Sequence, residues 1–163
     1  MPNPIKTVLV LHDQSQIVTR TFRAAGDIAY SVSVATCSGG FPSWHISQAP
    51  LALLAQLIMI DRGDVAFVRA DDMSVHALIP ACIDLVVVCV ADWVPGTTLW
   101  DRAKRLGAAV AMVMPKGGEY RSIKAPVQYV GGRAIYLHGV PALHFGESND
   151  LRVIAAEMAE QWG

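Results

Sequence analysis

Strand-like and helix-like segments alternate along the chain. This order predicts an α/β domain with one open, mostly parallel sheet and helices on both faces. Two further observations agree. Leu85 to Val90 is an almost unbroken apolar and β-branched run, the pattern of a central strand covered on both sides. The 163 residues, 53% of them hydrophobic and 17% charged, are enough to bury one core in a single domain spanning 1–163. In such sheets ligands bind at the carboxyl ends of the strands, so the loops there are where function is sought.

The elements follow in order. Thr7 to Leu11 is a short apolar strand. Residues 16–25 put Ile17, Val18, Phe22 and Ala25 on one helical face, and Gly26 can end that helix. Ser31 to Ala35 alternates with period two, as a strand does. Gly39-Gly40-Phe41-Pro42 punctuates a loop. Pro50 opens a helix from Leu51 to Ile60. Val65 to Val68 reads as a strand, and residues 74–82 are compatible with a helix that Pro80 would stop early. After the 85–90 strand, Pro95-Gly96 turns the chain, and Thr97 or Thr98 caps a helix ending near Gly107. Ala109 to Met114 is another strand, and residues 127–137 suit two short strands around Gly131-Gly132. Asp150 caps a last helix whose stripe is Leu151, Ile154, Ala155, Met158 and Trp162.

The formal charge of −1 excludes a uniformly basic nucleic-acid coat and an acidic tail protein. The charge is not even, however. Residues 101–133 hold Arg102, Lys104, Arg105, Lys116, Arg121, Lys124 and Arg133 against Asp101 and Glu119, a local +5 between two segments of −3 each. Such a segment can follow a phosphate backbone or form a solvated face. The longest uncharged apolar stretch with helical potential, Leu51 to Ile60, is too short to span a bilayer. Without an apolar signal region before the first strand, a cytoplasmic location and no membrane partner are expected.

Three cysteines, Cys37, Cys82 and Cys89, contain no Cys-x-x-Cys pair. Neither a disulfide framework nor a zinc site is expected, and apolar burial is expected for Cys82 and Cys89. The five histidines do not fall at metal-ligand spacing. Asp71 and Asp72 with Asp61 or Asp64 suit a solvated loop better than a metal site, and no metal is expected.

Several framework stretches resemble the small DNA cytosine methyltransferase-like proteins of phages and prophages. They are Arg20-Thr21-Phe22-Arg23-Ala24-Ala25-Gly26, Ala29-Tyr30-Ser31 and Phe41-Pro42-Ser43-Trp44-His45-Ile46, with Gly132 to Leu143 and Ala155 to Gly163 near the other end. The resemblance covers roughly the first third and the last fifth of the chain. It implies a Rossmann-like, methyltransferase-type doubly wound sheet. It makes His45 a framework residue.

The departures from the family pattern carry the functional reading. The resemblance implies a glycine-containing loop after the first strand that admits S-adenosylmethionine, because a backbone without Cβ allows close approach. Here that loop is His12-Asp13-Gln14-Ser15-Gln16. Asp13 and Ser15 stand at the family's acidic and serine positions, and Gln16 stands at its glycine. The acid that meets the ribose hydroxyls is replaced by Ser33, and the aspartate that meets the adenine by Ala49.

The resemblance implies a cysteine thiolate that attacks the flipped cytosine. Its position falls on Asp72 if the family's fourth strand is Val65 to Val68, and on Asp92 if that strand is Leu85 to Val90. Val113, in Met112-Val113-Met114-Pro115, replaces the glutamate that activates the base.

The sequence therefore predicts a pseudo-methyltransferase without a cofactor. It would act as an accessory protein by binding a host protein, nucleic acid or its own copy. One alternative is an active S-adenosylmethionine-dependent enzyme holding its cofactor with Asp13, Ser15 and Ser33. Another is a small DNA-binding module using the basic 101–133 segment.

Overall fold

The computed structural model describes residues 5–60, 65–70, 76–80, 82–89, 96–115, 127–140, 143–148 and 150–161. The strands are β1 (Thr7–Leu11), β2 (Ile28–Ser33), β3 (His45–Ser47), β4 (Val65–Arg69), β5 (His76–Pro80), β6 (Leu85–Cys89), β7 (Ala109–Pro115), β8 (Val127–Val130) and β9 (Arg133–His138). The helices are α1 (Ile17–Ala24), α2 (Pro50–Met59), α3 (Gly96–Arg105) and α4 (Leu151–Gln161), with a 3-10 turn at Pro42–Trp44.

Seven strands form one sheet in the order β3-β2-β1-β6-β7-β9-β8. β1 pairs in parallel with β2 and with β6, β2 with β3, and β6 with β7. β9 is antiparallel to both β7 and β8. β4 and β5 form a separate antiparallel hairpin. It touches the sheet edge through the bridge Ile46–Ala70.

Alternation along the central strands sends side chains to two cores. Val8, Val10, Leu85 and Val87 join Val18 and Phe22 of α1 and Ile154, Ala155 and Met158 of α4. Leu9, Leu11, Val86 and Val88 join Leu53, Leu54 and Leu57 of α2 and Leu99, Trp100 and Ala103 of α3. Each large apolar side chain so buried contributes roughly 1.5–3 kcal/mol. Both faces of β1 and β6 are thus apolar, which is why Leu85 to Val88 shows no polar alternation.

Local signals explain the element ends. Gly26 takes φ 98 directly after α1, a conformation that glycine adopts without strain. Pro50 occupies the first turn of α2, where its missing N–H is not needed. Asp150 caps α4, its Oδ1 accepting the Arg152 N–H at 2.9 Å.

Four expectations change. Thr97 and Thr98 lie inside α3, which begins at Gly96, so neither is its cap. Residues 76–80 are a strand, not a helix. Pro80 lacks the N–H that a helix would use, whereas pairing with β4 engages the segment from His76 to Pro80. The second strand begins at Ile28 and ends at Ser33, earlier than its alternation suggested. The Lys6 N–H bonds the Asp27 carboxylate, and the Ile28 N–H bonds the Lys6 carbonyl, which starts the pairing with β1 there. Cys82 is exposed, not buried, because it lies in the connection just before β6.

Candidate functional site

The chain order reverses beside β1, which lies between β2 and β6. The carboxyl ends of these three strands therefore define the crevice where an open α/β sheet takes a ligand. The loop after β1 and the loop after β2 meet there.

Asp13 is buried, and its Oδ2 accepts the Thr19 N–H at 2.8 Å and the Thr19 hydroxyl at 2.7 Å. It thus satisfies an unpaired amide in the first turn of α1, a capping role performed from within the loop.

Gln16 is fully buried. Its Nε2 donates to the Phe41 carbonyl at 2.8 Å and to Ser31 Oγ at 3.2 Å, and its Oε1 accepts the Phe41 N–H at 3.0 Å. Gln14 Nε2 donates to the Thr36 carbonyl, and the Ser38 N–H donates to the Gln14 carbonyl, each at 2.9 Å. The 34–41 loop is therefore fastened onto the β1 loop along its length. Gly39 packs so closely that a Cβ there would overlap the Ser15 carbonyl and lie 2.6 Å from Gln16 Cβ.

His12 and Gln16 have φ of 63° and 59°. That left-handed backbone costs a residue other than glycine about 1–2 kcal/mol. Gln16 thus takes a backbone conformation that glycine adopts without strain, while carrying a side chain. Its three hydrogen bonds, at about 1 kcal/mol each, offset the strain. Burial holds the His12 imidazole below the ordinary histidine range.

A second buried chain of polar groups anchors the start of the 34–41 loop. His45 is fully buried, with Nδ1 2.6 Å from Ser31 Oγ and Nε2 2.8 Å from the Ala35 carbonyl. That carbonyl only accepts, so Nε2 donates to it. Ser33 Oγ donates to the same carbonyl at 3.0 Å and lies 3.1 Å from His45 Nε2. Ser33 and His45 are thereby engaged inside the fold.

The end of β6 is different. Cys89 closes that strand and is partly exposed as a residue, yet its surroundings desolvate the sulfur. Burial pushes its thiol far above the usual range, the Asp13 carboxylate pushes it further, and Arg133 opposes both. The strand beside β1 is β6, while β4 belongs to the hairpin. Asp72 and Asp92 lie outside the described residues, as do Asp61, Asp64 and Asp71. Val113 is buried in β7 among the α1 and α4 side chains. Among the described residues no group of three or more His, Cys, Asp or Glu is placed to hold a metal.

The basic residues separate. Arg102, Lys104 and Arg105 are exposed in the last turns of α3, just before β7 begins. Arg133 pairs with Pro115 at the other end of β7. Seven strand residues, at about 3.3 Å each, set the two places roughly 20 Å apart. Lys116, Arg121 and Lys124 lie outside the described residues.

No family model, no curated protein and no solved structure matches this chain. Ser31 and the Phe41 backbone were not legible as site groups. Nothing in the residue types signals that a glutamine side chain and a peptide unit pair across 25 positions.

Proposed function

We propose that the chain is a Rossmann-like, doubly wound domain of methyltransferase type that acts by binding rather than by methyl transfer. It would be an accessory protein of the phage or prophage kind, working in the cytoplasm on a host protein, nucleic acid or its own copy. With the hairpin set aside, the strands run 3-2-1-4-5-7-6. That is the doubly wound order 3-2-1-4-5-6 with one antiparallel strand inserted, which supports the fold reading.

One observation carries the functional reading. The space between the loops after β1 and β2 holds the Gln16 side chain, bonded at both ends of its amide to Phe41. S-adenosylmethionine does not fit residues so arranged, since Gln16 and the Gly39 backbone already occupy the approach to the loop. Asp13 and Ser33, the groups an active enzyme would turn toward the cofactor, are spent on Thr19 and on Ala35.

Among the described residues no helix is long and apolar enough to cross a membrane. The basic-segment reading draws less support, because α3 and Arg133 lie at opposite ends of β7. The test is incubation with S-adenosylmethionine carrying a labelled methyl group and cytosine-containing DNA. No label in the DNA is expected. Incorporation above that of a heat-denatured control would refute the reading.

A further inference from the structure

Phe41 precedes and Trp44 ends a 3-10 turn, in which residues three apart eclipse one another. Their rings stack at 4.1 Å and 6°. Phe41 takes one face of Trp44, so Arg23, 4.4 Å from that ring, takes the other. The same guanidinium lies 5.1 Å over Tyr30, and its Nε donates to the Ala29 carbonyl at 2.8 Å. The result is a ladder of planes in the order Phe41, Trp44, Arg23, Tyr30. Phe41 ends it and is 38% exposed.

The stretch of chain that carries this ladder is poor in acids. Between Asp13 and Asp61 the only charged residues are Arg20, Arg23 and Asp27. The Asp27 carboxylate accepts the Lys6 N–H. Arg20 is exposed one turn before Arg23 on α1, and its Nε donates to the Gln16 carbonyl at 3.3 Å. The side chain of the same Gln16 holds the Phe41 backbone, so Arg20 and Phe41 are tied to one residue. Among the described residues the ion pair is Arg152–Asp150, and neither Arg20 nor Arg23 meets a carboxylate.

We propose that this surface binds single-stranded nucleic acid, with a base stacking on Phe41 and Arg20 meeting the backbone phosphate. Phe41 ends the ladder partly exposed, and base–aromatic stacking needs no sequence readout. A guanidinium without a carboxylate partner pairs with phosphate in two-pronged hydrogen bonds. The two requirements meet in a base carried on an anionic backbone. The site is distinct from the basic 101–133 segment and does not depend on the closed crevice.

The experiment is fluorescence anisotropy of the whole protein with a labelled single strand of about 12 nucleotides at about 50 mM salt. A duplex of the same sequence and a mononucleotide run beside it. Binding of the strand is expected, with Phe41→Ala weakening it roughly ten-fold. Phe41→Leu keeps apolar bulk for folding and is expected to weaken binding as well. Arg20→Ala should flatten the log–log salt dependence by about 0.7. A combined Arg102→Ala, Lys104→Ala, Arg105→Ala variant should bind as the wild type does. The proposal is overturned if the strand does not bind, or if Phe41→Leu and Arg20→Ala change nothing. Equal binding of the mononucleotide, preference for the duplex, or loss in the α3 variant would overturn it too.

Discussion

The two halves of the strand-end rim are built differently. At the ends of β1 and β2 the polar groups bond one another: Asp13 with Thr19, Gln16 with Phe41 and Ser31, and His45 with Ser31 and Ala35. At the end of β6 stands a desolvated thiol, Cys89, between the influences of Asp13 and Arg133. The first half is a closed network whose members would each lose a partner if a ligand entered. The second half has no such network among the described residues. The contrast places the closed side of the crevice in the β1–β2 half. A buried polar network that is fully satisfied resists partial opening, because each orphaned group costs about 1–3 kcal/mol.

The largest effect should come from breaking the closed half. Gln16→Ala removes three hydrogen bonds and keeps the left-handed backbone. A loss of about 3 kcal/mol is expected in urea unfolding. Gln16→Gly loses the same bonds but relieves the backbone, so it should be about 1 kcal/mol more stable than the alanine variant. If alanine proves as stable as glycine, the backbone assignment at Gln16 is wrong.

The β6 half gives the next effect, through pH. The Cys89 thiol is held protonated in the folded state, above its ordinary pKa of 9.0. The unfolded chain therefore releases this proton first as pH rises. Stability from this group is complete below about pH 9 and declines above it, by up to about 1.4 kcal/mol per pH unit. Wild type and Cys89→Ala, unfolded in parallel from pH 8 to about pH 10.5, should diverge in slope, with the variant flatter. Equal slopes would remove the thiol from the account.

The smallest effect links the halves. Asp13→Asn weakens the α1 cap by about 1 kcal/mol and removes the negative charge that raises the Cys89 thiol. The pH profile of Cys89 alkylation should move to lower pH, read with Cys37 and Cys82 replaced by serine. A profile that stays in place would separate Asp13 from Cys89.

Much of the fold was legible because its signals are local. The apolar run from Leu85 and the Pro50 helix start depend on neighbours in sequence. The hairpin was not, since β5 exists only by pairing with β4, and Pro80 merely forbids the helix. Within the crevice, the absence of a glycine between His12 and Gln16 was visible. That Gln16 would close the crevice by clasping Phe41 depends on a loop conformation, φ 59°, that residue type does not announce. Of the basic residues in 101–133, the described ones fall at two places, Arg102, Lys104 and Arg105 in α3 and Arg133 at the other end of β7, a separation that charge counting along the chain does not reveal.

The closed crevice is tested most directly by calorimetric titration of the wild-type protein with S-adenosylmethionine. Binding weaker than about 100 μM, roughly −5.5 kcal/mol, is predicted. Saturable binding tighter than that, at one site per chain, would contradict the account.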